Sequence, residues 1–128
     1  MLNISVRNVT RGTTLADRVT VADTSAERRK GLLGRNSLDP CEGLWITPCE
    51  AVHTIGMRFP IDVLFLSRDT KVLKIRHAMA SWRLAGCLRA HSVLELPAGT
   101  AEATQTQPGD RLEITDAKRD YQVKLSLL

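Results

Sequence analysis

The segment "IDVLFLS", Ile61 to Ser67, constrains the fold more than any other stretch. Side chains alternate between the two faces of a strand. Ile61, Val63 and Phe65 then take one face, while Asp62, Leu64 and Leu66 take the other. Both faces are mostly apolar, so Asp62 is expected to be at least partly buried. The segment "SVLELPAG" raises the same problem, because Glu95 shares a face with Val93 while Leu94 and Leu96 take the other. A buried carboxylate needs a partner, or else desolvation costs several kcal/mol or the group stays protonated. Arg58, Arg35, His53 and backbone donors near Gly56 are the partners the sequence offers. Such groups serve either as anchors that fix strand ends or as a site where two carboxylates and a histidine do acid–base work. Anchors are the commoner outcome, since ion-pair networks perturb carboxylates without any catalysis.

The rest of the chain reads as short strands divided by turns. "LNISV" and "LADRVTVA" flank the turn-like "TRGTT" and form an expected hairpin. "DTSAERRKGLLGR" changes the pattern. Thr24 followed by Glu27 is a capping-box signal, so one short helix is expected near residues 24–34, ended by Gly34 and docked by Leu32 and Leu33. Strand signals then dominate: "GLWIT", "IDVLFLS" and "KVLKIRH" around the "RDT" turn, "SVLELPAG", "PGDRLEIT" and "YQVKLSL". About eight strands and one helix predict a mainly β fold, a small antiparallel β-sandwich or barrel. A length of 128 residues suits a single domain, 1–128, able to bury a core without disulfides or metal.

Charge and cysteines narrow the function classes. The net charge is +4, and thirteen of the eighteen basic residues are arginines. They are scattered among acidic residues, and the one cluster, "ERRKGLLGR", reads as a solvated helix face. Aromatic residues make up 4% of the chain and form no base-stacking motif, which argues against nucleic-acid binding. Three cysteines, Cys41, Cys49 and Cys87, do not make a secreted disulfide framework. No signal peptide and no membrane-length apolar run is seen, so a cytoplasmic location without membrane contact is expected.

Cys49–His53 and Cys87–His91 share the spacing Cys-x3-His, and thiolate and imidazole are good zinc ligands. On a strand, residues four apart are separated by about 13 Å, too far to hold one ion. A site would need one ligand from each segment, and buried free thiols are the simpler expectation. No nucleophile elbow, phosphate loop or dinucleotide fingerprint is present, and no cofactor is expected.

Taken together, "VADTSAERRKGLLGR", "GLWI", "HTIGMRFPIDVLFLSRDTKVLKI" and "SVLELPAGT…PGDRLEI" occur in an order and spacing that resemble the bacterial and archaeal domain-of-unknown-function family number 192. The likeness spans residues 19 to 115 or so. Glu27, Arg28, Gly31, Leu32 and Arg35 fit its first motif, with Leu33 in a methionine position. Met57, Pro60, Ile61 and Asp62 fit the central one, where His53-Thr54 replaces a common aromatic pair. Leu94 to Gly99 fit the Leu-Glu-Leu-Pro-Ala-Gly segment. The resemblance implies a compact β-rich sandwich or barrel and supplies no activity.

The expected function is therefore a non-catalytic module that binds a small ligand or a protein partner. Its pocket would be built near His53, Met57, Arg58, Asp62 and Glu95, with Trp82 at the rim. Arg58 would contact an anion through its bidentate fork, and Met57 would form an adaptable apolar wall. The alternative is a metal- or carboxylate-dependent hydrolase-like enzyme using Cys49, His53, His91, Asp62 and Glu95. A third possibility is an assembly partner that pairs through the edge strands "LNISV" or "YQVKLSL". The expected state is a monomer or weak homodimer.

Overall fold

In the computed structural model, which describes residues 3–116, the two carboxylate-bearing segments lie side by side. The strands in chain order are β1 (Asn3–Asn8), β2 (Thr13–Ala22), β3 (Glu42–Ile46), β4 (Ala51–His53), β5 (Ile61–Leu66), β6 (Val72–Met79), β7 (Leu84–Gly86), β8 (Ser92–Pro97) and β9 (Leu112–Thr115). Helix α1 spans Ser25–Lys30 and helix α2 spans Thr100–Ala103. Seven strands form one sheet in the order β6-β5-β8-β3-β2-β1-β9, and β4 pairs with β7 in a separate ribbon. The large sheet curls into a half-barrel. Its two edges meet at one end through a bridge between Lys71 and Arg111.

The expected mainly β fold is what the chain adopts, with two differences in detail. Strands β2 and β3 pair in parallel, so the sheet is mixed rather than wholly antiparallel. Parallel neighbours cannot be joined by a hairpin and need a crossover of a dozen or more residues. Residues 23–41, with α1 among them, are that crossover. Nine strands and a second helix occur among the described residues; β4, β7 and α2, at three or four residues each, are too short to leave a periodic signal. The expected strand "YQVKLSL" lies outside the described residues.

Alternation in β5 and β8 generates two cores, one on each face of the sheet. Leu64, Leu66, Leu94 and Leu96 join Ile4, Val6, Leu15, Val19 and Leu112 in one cluster. Ile61, Val63, Phe65 and Val93 join Ile46, Met57 and Met79 in the other, which the crossover and the ribbon cover. Both faces of β5 are therefore buried along its whole length. Gly43 allows β3 to approach β8 this closely, since a Cβ there would stand 2.9 Å from Leu96 Cδ2 and 3.1 Å from the Glu95 carbonyl oxygen.

Asp62 is fully buried and bound twice. Its Oδ1 accepts from the Ala78 N–H at 2.8 Å, and its Oδ2 accepts from the Ala101 N–H at 2.8 Å. The β5–β6 register shifts between Ile61 and Val63, and Ala78 adopts a positive φ of 44°. Such a bulge takes a residue out of the regular ladder, and the carboxylate bonds the Ala78 N–H there. Its other oxygen holds the first turn of α2 against the sheet. The partners are backbone donors from β6 and α2, not Arg58, Arg35, His53 or the Gly56 turn.

Replacing Asp62 with Ala leaves two N–H groups without their acceptor and is expected to cost about 3 kcal/mol or more. Asp62→Asn is expected to recover only part of that loss, because its amide nitrogen faces one of the two donors. Urea unfolding at neutral pH measures both, and a loss below about 1 kcal/mol for Asp62→Ala contradicts the anchoring role.

Candidate functional site

The crossover from β2 to β3 shapes the site. The Thr24 hydroxyl accepts from the Glu27 N–H, and the Glu27 carboxylate accepts from the Thr24 N–H, so the expected capping box starts α1. The helix ends at Gly31 (φ 49°) rather than at Gly34. None of its residues is buried. Leu32, buried, and Leu33, half-buried, follow the helix and dock the crossover on the core that holds Phe65 and Met57, as expected, and Leu38 joins them farther along. Helix α1 consequently stands off the sheet, and an open cavity of about 390 Å³ lies against it.

Ile46, Met57 and Glu95 contribute apolar and acidic lining from the sheet side, while Arg28, Arg29 and His53 contribute from α1 and β4. Glu95 is 5% exposed, and its carboxyl makes no hydrogen bond or ion pair among the described residues. Burial alone pushes its pKa up to about 7. Gly31 comes close above it: a Cβ there would sit 3.7 Å from Glu95 Oε1, and the positive φ disfavours any L side chain. Cys49 also lines the cavity. Burial pushes its thiol up, Glu95 adds to the shift and Arg28 opposes it, while the thiol donates to the Ala51 carbonyl at 3.2 Å. This is a protonated thiol, not an activated nucleophile.

The arginines of α1 meet carbonyl oxygens rather than carboxylates among the described residues. Arg28 donates to the Asp23 carbonyl at 3.0 Å and Arg29 to the Ser25 carbonyl at 3.4 Å. Neither they nor Lys30 forms a salt bridge among the described residues. Arg35, by contrast, grips Glu42 through two 2.9 Å bonds and belongs to the scaffold. A second depression, about 640 Å³ and bordered by Arg11 and Gln105, has Thr106 as its buried polar residue, already bonded to Asn8.

Of the six residues expected to build a pocket, His53, Met57 and Glu95 come together on the cavity. Asp62 does not. It stands opposite Leu96 in the β5–β8 register while Glu95 stands opposite Val63, so the two carboxyls lie on opposite faces of the sheet. Arg58 is exposed and donates to Asn36 Oδ1 at 2.7 Å, away from the cavity. Trp82 is 66% exposed in the turn before β7, where its backbone N–H donates to the Thr54 carbonyl. Among the metal candidates, Cys49 and His53 line the cavity, whereas Cys87 and His91 do not. Backbone bonds hold these segments together, Cys49 N–H to His91 and Cys87 N–H to Glu50. All three cysteines are free, and no group of three His, Cys, Asp or Glu side chains suited to a metal ion occurs among the described residues.

Arg28, Arg29 and Gly31 were not singled out from sequence as site residues. The "ERRKGLLGR" cluster reads as a solvated face because every side chain in it is polar until Leu32. That same absence of an apolar stripe is the signal that the helix stands off the sheet.

Residues 6–114 match domain-of-unknown-function family number 192, described as uncharacterised ACR. A UPF0127 protein of Pyrococcus furiosus is 33% identical over 112 residues, which is 83% of this chain and 94% of that protein. A Novosphingobium aromaticivorans protein of unknown function superposes with a TM-score of 0.75 at 26% identity, over 87% of this chain and 83% of its own. A Sinorhizobium meliloti structure, described as a proposed transcription regulator, does so with a TM-score of 0.76 at 26% identity, over 88% of this chain and 92% of its own.

The raised pKa of Glu95 has a definite sign in stability. The folded protein holds this proton more tightly than the unfolded chain, so the contribution is complete below about pH 4.5 and is lost as pH rises through about 7. A shift of this size corresponds to about 3 kcal/mol at most. Glu95→Gln is expected to match the parent near pH 4.5 and to exceed its stability at pH 8. Urea unfolding across that range checks this, and equal pH slopes for the two proteins contradict it.

Proposed function

Because the chain belongs to domain-of-unknown-function family number 192, which carries no assigned activity, we propose that it is a non-catalytic binding module whose cavity beside α1 takes a small ligand. One observation carries this reading: Glu95 is buried, has no partner among the described residues, and lines an open cavity. Stability alone does not favour such a group, because a hydrophobic residue of similar volume avoids its desolvation cost. A ligand donor would satisfy it. Met57 and Ile46 supply apolar walls, and Arg28 and Arg29 supply charge at the rim. Arg58, Asp62 and Trp82 belong to the scaffold and its outer surface rather than to the binding residues. The protein acts as a monomer or weak homodimer, with a small molecule rather than nucleic acid as its partner.

The pKa of Glu95 near 7 also suits acid–base chemistry, which keeps a carboxylate-dependent hydrolase-like activity as a second reading. The cavity lining favours binding over it. Glu95 is the one carboxyl there among the described residues, and the Cys49 thiol is protonated.

Fragment screening by heteronuclear NMR is expected to yield ligands whose shift changes cluster at Gly31, Ile46, Cys49 and His53. Glu95→Gln should weaken these ligands, while Arg58→Ala leaves them unchanged. Fragments that map elsewhere, or none at all, contradict the binding reading. Turnover in a hydrolase panel that vanishes in Glu95→Gln supports the enzymatic one.

A further inference from the structure

We propose that the occupant of this cavity is a small zwitterion, with an amine that meets the Glu95 carboxylate and an anionic group that meets Arg28 and Arg29. This assignment rests on reading the cavity as a ligand site and adds the ligand's chemical class. It follows from two unpaired features of opposite sign along one cavity. Glu95 is buried and makes no hydrogen bond or ion pair among the described residues. Arg28, Arg29 and Lys30 on α1 form no salt bridge among them. Arg28, Arg29, Cys49 and Glu95 all line this one cavity.

Each simpler ligand leaves one pole unmatched. A bare amine would satisfy Glu95 but meet repulsion from three cations. A bare carboxylate or phosphate would satisfy the arginines but bring like charge toward Glu95. An ammonium brings three donors, enough for both carboxylate oxygens. Its attached anion turns the repulsion of the rim into attraction. The volume, about 390 Å³, lies near the lower end of ligand pockets, so the molecule is small. Ile46 and Met57 accommodate an aliphatic spacer between the charges.

Binding of the amine favours the ionised form of Glu95 and therefore releases a proton near neutral pH. The titratable or charged groups around the cavity are Arg28, Arg29 and Lys30 on α1, Cys49 in the loop before β4, and His53 on β4. Histidine is the side chain that commonly exchanges protons near neutral pH, so His53→Gln serves as a control.

Isothermal titration at pH 6.5, in two buffers of different ionisation heat, tests the assignment. The probes are 4-aminobutyrate and 6-aminohexanoate, with butylamine and butyrate as single-charge controls. At least one amino acid is expected to bind about tenfold or more tightly than either control, with proton release. Glu95→Gln is expected to weaken it about tenfold or more and to abolish the release. His53→Gln should retain the release. The double variant Arg28→Ala, Arg29→Ala should weaken binding and keep the release. If butyrate binds as tightly as 4-aminobutyrate, without proton release and unaffected by Glu95→Gln, the zwitterion is wrong while the cavity remains a binding site. If none of the four binds but NMR fragments still map to the cavity, the class alone is overturned. If the fragments fail as well, both readings fall. The pH-dependent unfolding of Glu95→Gln shows independently that this variant folds.

Discussion

The fold depends on how a fully buried carboxylate on a strand buried on both faces is satisfied. Asp62 meets that constraint with two backbone N–H groups, one at a bulge in β6 and one in the first turn of α2. The bonds tie β5 to its hairpin partner β6 and to α2, which follows Asp62 by 39 residues. A comparable device sits where the half-barrel edges meet. Although burial pushes Asp110 up, bonds from Arg11, Asn8 and the Gln107 N–H hold it below the usual carboxylate range. In both places a buried acid is fixed by donors the fold itself supplies.

Glu95 stands on the neighbouring strand, is also buried, and receives no such donors among the described residues. Its face of the sheet is roofed by the crossover between β2 and β3. The capped helix within that crossover has no apolar face to press onto the sheet. The parallel pairing of β2 and β3, the exposed character of α1 and the unpaired state of Glu95 are thus physically linked. A helix with an apolar stripe would pack down and close the cavity over the carboxyl.

The alternation of "IDVLFLS" and "SVLELPAG" was enough to place Asp62 and Glu95 among apolar side chains, and Thr24 with Glu27 was enough to start the helix. The motif order was enough to point to the family. Glu95 was legible because a carboxylate stands within an apolar strand, and His53 and Met57 because an imidazole and a soft side chain stand in the segment that leads into β5. Arg58 and Trp82 carried the same kind of signal and proved to lie elsewhere, because residue type does not report the direction in which a loop presents it. Cys-x3-His, present twice, suggested a metal site, but the backbone bonds between those segments bring no three ligands together among the described residues.

By itself, the sequence determined a mainly β domain with two strands apolar on both faces, a carboxylate within each, and a capped polar helix. Local patterns decide these features, because strand alternation and capping act over a few residues. Tertiary structure alone decided that β2 and β3 run parallel, that Asp62 and Glu95 face opposite sides, and that, among the described residues, one finds donors while the other does not. Strand register and the path of a crossover set those outcomes, and both depend on contacts between residues far apart in the chain.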